Sequence, residues 1–113
     1  MSEAKRRGAL DDRACARLWA EQWARHGYAD AAIRAKLAQK GLPPLAVEGA
    51  MTRLARAGED DAARARHIAA AALARRGPWQ PERLARLLAC RGFDSDLIER
   101  LLESFESAIS HDE

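Results

Sequence analysis

Six cations recur on two equivalent stretches of this chain: Arg34, Lys36 and Lys40 in one, Arg83, Arg86 and Arg91 in the other. Guanidinium and ammonium groups along a helix hold phosphate or carboxylate, and guanidinium does so through two parallel hydrogen bonds. That is the chemistry of gripping a polyanion or an acidic protein surface. Residues that break bonds fail on spacing. His26, His67 and His111 stand apart from any Cys or carboxylate at ligand spacing and read as surface or helix-end histidines. Asp11-Asp12 and Asp60-Asp61 resemble paired acids, but helix neighbours point about 100° apart and share no proton, so helix-start electrostatics explains them better. The seven glycines are dispersed, with no Gly-x-Gly or Gly-Lys-Ser/Thr group to cradle phosphate. Cys15 and Cys90 lack the spacing of a disulfide framework or a metal site and read as small buried hydrophobes. The chain reads as a binding protein, not an enzyme, with no catalytic residue, metal or cofactor.

The tryptophans leave alternatives open. Trp19 and Trp23, one helical turn apart, suit a stacking platform for bases or an anchor of the core beside Cys15 and Leu18. Trp79 lies in the loop Gly77-Pro78-Trp79-Gln80-Pro81 and either plugs a gap between helices or faces a partner.

Helices must position these groups, because β-branched residues are scarce and helix formers dominate. A first helix runs from about Asp11 to His26, with Cys15, Trp19 and Trp23 on one stripe and Gly27 as its stop. A second runs from about Asp30, its N-cap, to Lys40, with Ile33 and Leu37 inward and Gly41 as terminator. Pro43-Pro44 opens a third, striped by Val47, Met51 and Leu54. Glu59-Asp60-Asp61 begins a fourth, with Ala65, Ile68, Ala69, Ala72 and Leu73 on one face, ending near Gly77-Pro78. Pro81 opens a fifth, with Leu84, Leu87 and Leu88 inward and Gly92 at its end. Asp94 or Ser95 caps a sixth, carrying Ile98, Leu101, Leu102, Phe105 and Ile109.

The six helices are three used twice. Gly41 and Gly92 lie 51 positions apart, and Leu37/Leu88, Lys40/Arg91 and Val47/Ile98 keep that offset. Asp11 matches Asp61 and Arg25-His26-Gly27 matches Arg75-Arg76-Gly77 at 50, implying one inserted residue. A helical period near fifty means a supersecondary unit in tandem, and such modules bind along a surface more often than they enclose a pocket. The expectation is an all-α fold of two three-helix repeats of helix-turn-helix type: a flexible tail at 1–8, repeats at 9–57 and 58–109, and a tail at 110–113.

Charge is uneven. Residues 1–57 carry net +5 and residues 58–113 net −3, a polarity that suits a partner of mixed charge or simply two solvated surfaces. Arg outnumbers Lys 16 to 3, which favours bidentate contacts and also follows from GC-rich coding. No apolar run approaches membrane-spanning length, and Met-Ser-Glu-Ala-Lys-Arg-Arg lacks the apolar core of a signal peptide. A cytoplasmic location is expected.

The order of these motifs resembles the bacterial RecX family. Leu10-Asp11-Asp12-Arg13-Ala14-Cys15-Ala16, then Arg25-His26-Gly27-Tyr28, then Ile33-x-x-x-Leu37-x-x-Lys40-Gly41-Leu42 looks like its second repeat. Leu84 to Leu102, with Leu88-Ala89-Cys90-Arg91-Gly92-Phe93, resembles its third. The resemblance spans about residues 9–105. It implies tandem three-helix repeats that bind the RecA recombinase or its filament on single-stranded DNA and inhibit its ATPase and strand exchange, with roles in recombination, DNA repair and the SOS response. Direct DNA contact is also implied. Departures stand beside the likeness: the family's Arg-Phe after Asp-Asp is Ala14-Cys15, an arginine of the first helix is Trp23, and the second Gly of Gly-Tyr-Gly is Ala29. The resemblance covers the family's second and third repeats only, and the expectation is a short or diverged member or a fragment. Two other readings remain. One is a sequence-independent module for single- or double-stranded DNA with no recombinase partner. The other is an adaptor that self-associates weakly through apolar surface left bare.

Overall fold

The computed structural model describes residues 3–75 and 78–111, and side chains at 11–75 and 78–109. Among the described residues the fold is all-α, with six helices and no strand: α1 (Glu3–Arg25), α2 (Asp30–Gln39), α3 (Pro44–Arg56), α4 (Asp61–Ala74), α5 (Pro81–Cys90) and α6 (Ser95–His111). Proline opens α3 and α5, where its missing N–H costs nothing. Asp60 caps α4 by accepting from the Ala63 N–H at 2.8 Å, and Asp94 caps α6 by accepting from the Asp96 N–H at 3.1 Å. The extensive helix packing falls within α1–α3 and within α4–α6. The two units follow one another end to end, giving extents of 66 × 23 × 22 Å. The radius of gyration, 17.3 Å, exceeds the roughly 13 Å of a compact domain of this length.

Each unit has its own apolar cluster. In the first, Ala16, Ala20 and Ala24 of α1 meet Ile33 and Leu37 of α2 and Ala46, Val47, Ala50, Met51 and Leu54 of α3. In the second, Ala65 and Ala69 of α4 meet Leu84 and Leu88 of α5, Phe93, and Ile98 and Leu101 of α6. Ile33, Leu37 and Leu88 are the largest fully buried side chains, each contributing about 1.5–3 kcal/mol of transfer free energy. Ala29 of the first unit is fully buried within the second unit's cluster. The units therefore interlock at that residue.

Several expectations are corrected. The buried stripe of α1 is Ala16–Ala20–Ala24, one position round from Cys15–Trp19–Trp23. Alanines leave no bulk between α1 and α3, so these helices pack closely and the larger tryptophans lie along the edge, partly buried. Cys15 and Cys90 are exposed rather than buried, because each sits off its helix's inward stripe. Leu18 is 61% exposed. Ala72, Leu73 and Leu87 also face outward, so the inward face of α4 is narrower than its apolar pattern. Ala29, not Asp30, occupies the N-cap of α2 and has no capping side chain. Helix α1 begins at Glu3 rather than near Asp11, since Ala4-Lys5-Arg6-Arg7 propagate a helix once the packed part has nucleated it. Helix α6 continues to His111. Met1-Ser2, Arg76-Gly77 and Asp112-Glu113 lie outside the described residues.

Candidate partner and nucleic-acid interface

Helices α1 and α2 bring cations and aromatics into a row. Trp19 and Trp23 stack with ring centroids 5.0 Å apart. Lys40 Nζ lies 4.6 Å from the Trp19 ring, and Lys36 Nζ lies 5.8 Å from Trp23 and 4.5 Å from Tyr28. The one-turn spacing of the tryptophans thus matches the one-turn spacing of the lysines on the antiparallel neighbour. Arg91, from the second unit, completes the row with its guanidinium carbon 4.8 Å from the Tyr28 ring. Each such contact is worth roughly 0.5–1 kcal/mol at an exposed site, enough to hold a charge at a preferred place without removing it from solvent. The row sets three positive charges along one edge that crosses from unit to unit.

The other three cations stand elsewhere. Arg34 forms a bidentate pair with Glu48 of α3, Nε to Oε1 at 3.0 Å and Nη2 to Oε2 at 3.2 Å. That hydrogen bonding raises the Arg34 pKa and lowers that of Glu48. Arg34 is therefore largely taken up within its own unit. Arg83 and Arg86 are exposed on α5, and Arg83 borders a groove with Trp79, Leu84 and Leu87. The repeat-related Lys40 and Arg91 also differ: the first lies over a ring of its own unit and the second over a ring of the neighbour. Trp79 resolves as a plug, half-buried and stacked on Phe105 at 6.2 Å, with its Nε1–H buried and unpartnered.

The Arg34–Glu48 pair makes one pH prediction. Glu48 has a depressed folded pKa, so its contribution is present above the unfolded carboxylate pKa and lost as pH falls through the folded value. Glu48→Gln is expected to lower the melting midpoint slightly at pH 7 and to flatten the acid-side slope, in thermal melts taken from pH 7 downward. Because the pair is exposed, the change is small; an unchanged acid slope would show that the pair does not persist in solution.

The row crosses a joint built around Arg64, a residue that the repeat pattern does not single out. Arg64 is 7% exposed and bridges the units. Its guanidinium donates to the Tyr28 carbonyl at 2.9 Å, to Asp30 Oδ1 at 2.7 Å, to Asp61 Oδ1 at 3.3 Å and to the Glu59 carbonyl. Asp61 Oδ1 also accepts from the Asp30 N–H at 2.8 Å, so a residue of the second unit caps α2 of the first. The Arg91 carbonyl accepts from the Ala29 N–H at 2.9 Å, and the Arg91 side chain donates to the His26 carbonyl. Gly92, at φ +92°, lies so close that a Cβ there would stand 2.9 Å from Cβ of Ala32. The burial register explains why Arg64 escapes the repeat reading. Ala16/Ala65 and Ala20/Ala69 are 49 positions apart, not 50. This puts Asp12 in register with Asp61 and Cys15 in register with Arg64, and two extra residues, not one, separate the second unit's first two helices.

No group of His, Cys, Asp or Glu among the described residues could hold a metal ion, and no described helix is long and apolar enough to cross a membrane. Comparison with curated proteins and with solved structures gives no match. Comparison with protein families does: residues 11–51 match RecX, second three-helix domain. The matched residues cover α1 from Asp11 onward, all of α2 and α3 as far as Met51, and they carry Trp19, Trp23, Tyr28, Lys36 and Lys40. The first three-helix unit of this chain is thus similar to the second three-helix domain of RecX.

Proposed function

We propose that the chain is a RecX-type regulator that binds RecA, or its filament on single-stranded DNA, and restrains ATP hydrolysis and strand exchange. The observation that supports this reading is the row Lys40–Trp19–Trp23–Lys36–Tyr28–Arg91, which starts in the RecX-like unit and continues into the next unit. An elongated body with charges held at set intervals suits a long, repetitive, acidic partner. Recombination, repair and the cytoplasm are the setting this reading carries with it.

The test is RecA ATPase and strand exchange on single-stranded DNA at several protein ratios. Half-inhibition is expected near stoichiometry. The Lys36→Glu/Lys40→Glu variant should require at least tenfold more protein, with its helical content unchanged by circular dichroism. Absence of inhibition by folded protein in excess would overturn the proposal. The row also supports a second reading, contact with DNA phosphates alone. Salt-sensitive retention on DNA together with indifference to RecA would favour that module over the regulator.

A further inference from the structure

The seam between the units holds a second feature, which meets the row at Arg91. Two neighbouring hollows, of about 430 and about 210 Å³, lie along it, and His26, His67 and Ile68 belong to the walls of both. In the larger, Glu59 supplies a carboxylate beside Arg25 and Arg64. In the smaller, all the ionisable wall residues are basic: His26, His67, Arg75 and Arg91. The rest of that wall is Ile68, Ala71, Ala72 and Leu87. Among the described residues, neither Arg75 nor Arg91 has a carboxylate within ion-pair distance.

Arg75 and Arg91 thus bring two guanidinium charges, and His26 and His67 two imidazoles able to donate hydrogen bonds, to one hollow whose remaining wall is apolar, a set of donors that suits an anion. Arg91 is already oriented for one. The His26 carbonyl takes one of its N–H groups and the Tyr28 ring lies beside its plane, leaving the rest of the guanidinium fork unpaired among the described residues. A fork held this way matches phosphate oxygens through parallel hydrogen bonds. We propose that the smaller hollow is a phosphate-binding site formed by His26 of the first unit and His67, Arg75 and Arg91 of the second. Its ligand is a phosphate oxyanion, either of a free pyrophosphate-like molecule or of a nucleic-acid backbone. Because both units contribute, the anion bridges them and stiffens the joint that Arg64 clamps.

This site goes beyond RecA regulation, and its test contains no RecA. The protein is titrated with pyrophosphate at constant ionic strength held with chloride, following the imidazole proton signals of His26 and His67 by NMR. Saturable shifts of both signals are expected. Arg75→Gln, at the exposed end of α4, and Arg75→Gln/His67→Gln should each weaken the midpoint at least tenfold; should the double variant lose its helical signal, the single one decides. Lys36→Glu/Lys40→Glu should still bind pyrophosphate saturably, which separates this site from the lysines of the row. Shifts that rise linearly without saturation, or a folded Arg75→Gln variant with an unaltered midpoint, would overturn the proposal. A short oligothymidine that displaces pyrophosphate identifies the backbone phosphate as the source. An oligothymidine that leaves the pyrophosphate-bound signals in place identifies the free anion.

Discussion

Arg64→Ala is expected to cost about 3 kcal/mol and to split one cooperative unfolding transition into two. Removing a buried partner from a hydrogen-bonded ion cluster generally costs about 3–5 kcal/mol when it strands the opposite charge. Here the stranded carboxylates can recover water: the Asp30 and Asp61 side chains are 36% and 34% exposed, which places the effect at the lower end. The backbone acceptors, Tyr28 and Glu59, lose their donor as well. The splitting follows from position. Each unit keeps its own apolar cluster, while much of the polar bonding across the joint converges on this one guanidinium. Differential scanning calorimetry is the measurement, with a single transition in the parent and two in the variant. Arg64→Lys should behave like the alanine variant, because one ammonium cannot reproduce a fork that meets Asp30, Asp61 and two carbonyls. One transition retained at nearly the parental midpoint would show that apolar packing, through Ala29, holds the units without the clamp.

That prediction bears on what the sequence made legible. The all-α class, the repeat and the inward faces of α2, α5 and α6 were readable, because Ile33, Leu37, Leu84, Leu88, Ile98 and Leu101 are bulky apolar residues at helical spacing among charged ones. Helix α1 misled for a physical reason. Its buried residues are alanines, which carry little hydrophobic signal, while the conspicuous tryptophans sit one position round and are only half covered. A stripe selected for closeness of approach does not stand out as one selected for bulk. The same one-residue shift misaligned the repeat at its start and hid the correspondence of Cys15 with Arg64.

The candidate site was legible in its parts and not in its arrangement. Lys36, Lys40 and Arg91 were identifiable as cations on equivalent elements, and Trp19 and Trp23 as either a stacking platform or a core anchor. Their union was not, because it depends on the antiparallel run of α2 along α1 and on Arg91 crossing from the other unit. Arg34 was indistinguishable from them by composition, yet Glu48, 14 residues away on α3, takes it up. Arg64 lies 34 residues from Asp30 and 36 from the Tyr28 carbonyl, so no local pattern could announce it. The two units are therefore alike in core and unlike in edge. Helix period preserves the first, whereas function and docking act on the second.

The closeness of the units leads to the other large effect, at Gly92. Both Gly41 and Gly92 end the second helix of their unit with positive φ, +82° and +92°. An alanine at either must adopt the left-handed conformation, at a cost of about 1–2 kcal/mol. Only at Gly92 does the added methyl meet the neighbouring unit: it would stand 2.9 Å from Ala32 Cβ and 3.7 Å from Ala29 Cβ, whereas nothing lies within 4 Å at Gly41. Contacts under 3 Å force the backbones apart, and overpacking of this kind adds about 1–3 kcal/mol. Gly92→Ala is therefore expected to destabilise by about 3 kcal/mol and Gly41→Ala by about 1, measured by urea unfolding of the whole chain. The difference between the two variants, rather than either value, reports the docking of one unit on the other. Ala32→Gly should relieve part of the Gly92→Ala penalty and none of the Gly41→Ala penalty, since the clash has Ala32 as its partner. Equal costs at the two glycines would mean that the second unit does not rest on α2 in solution, and the row that depends on Arg91 reaching Tyr28 would be interrupted at the same place.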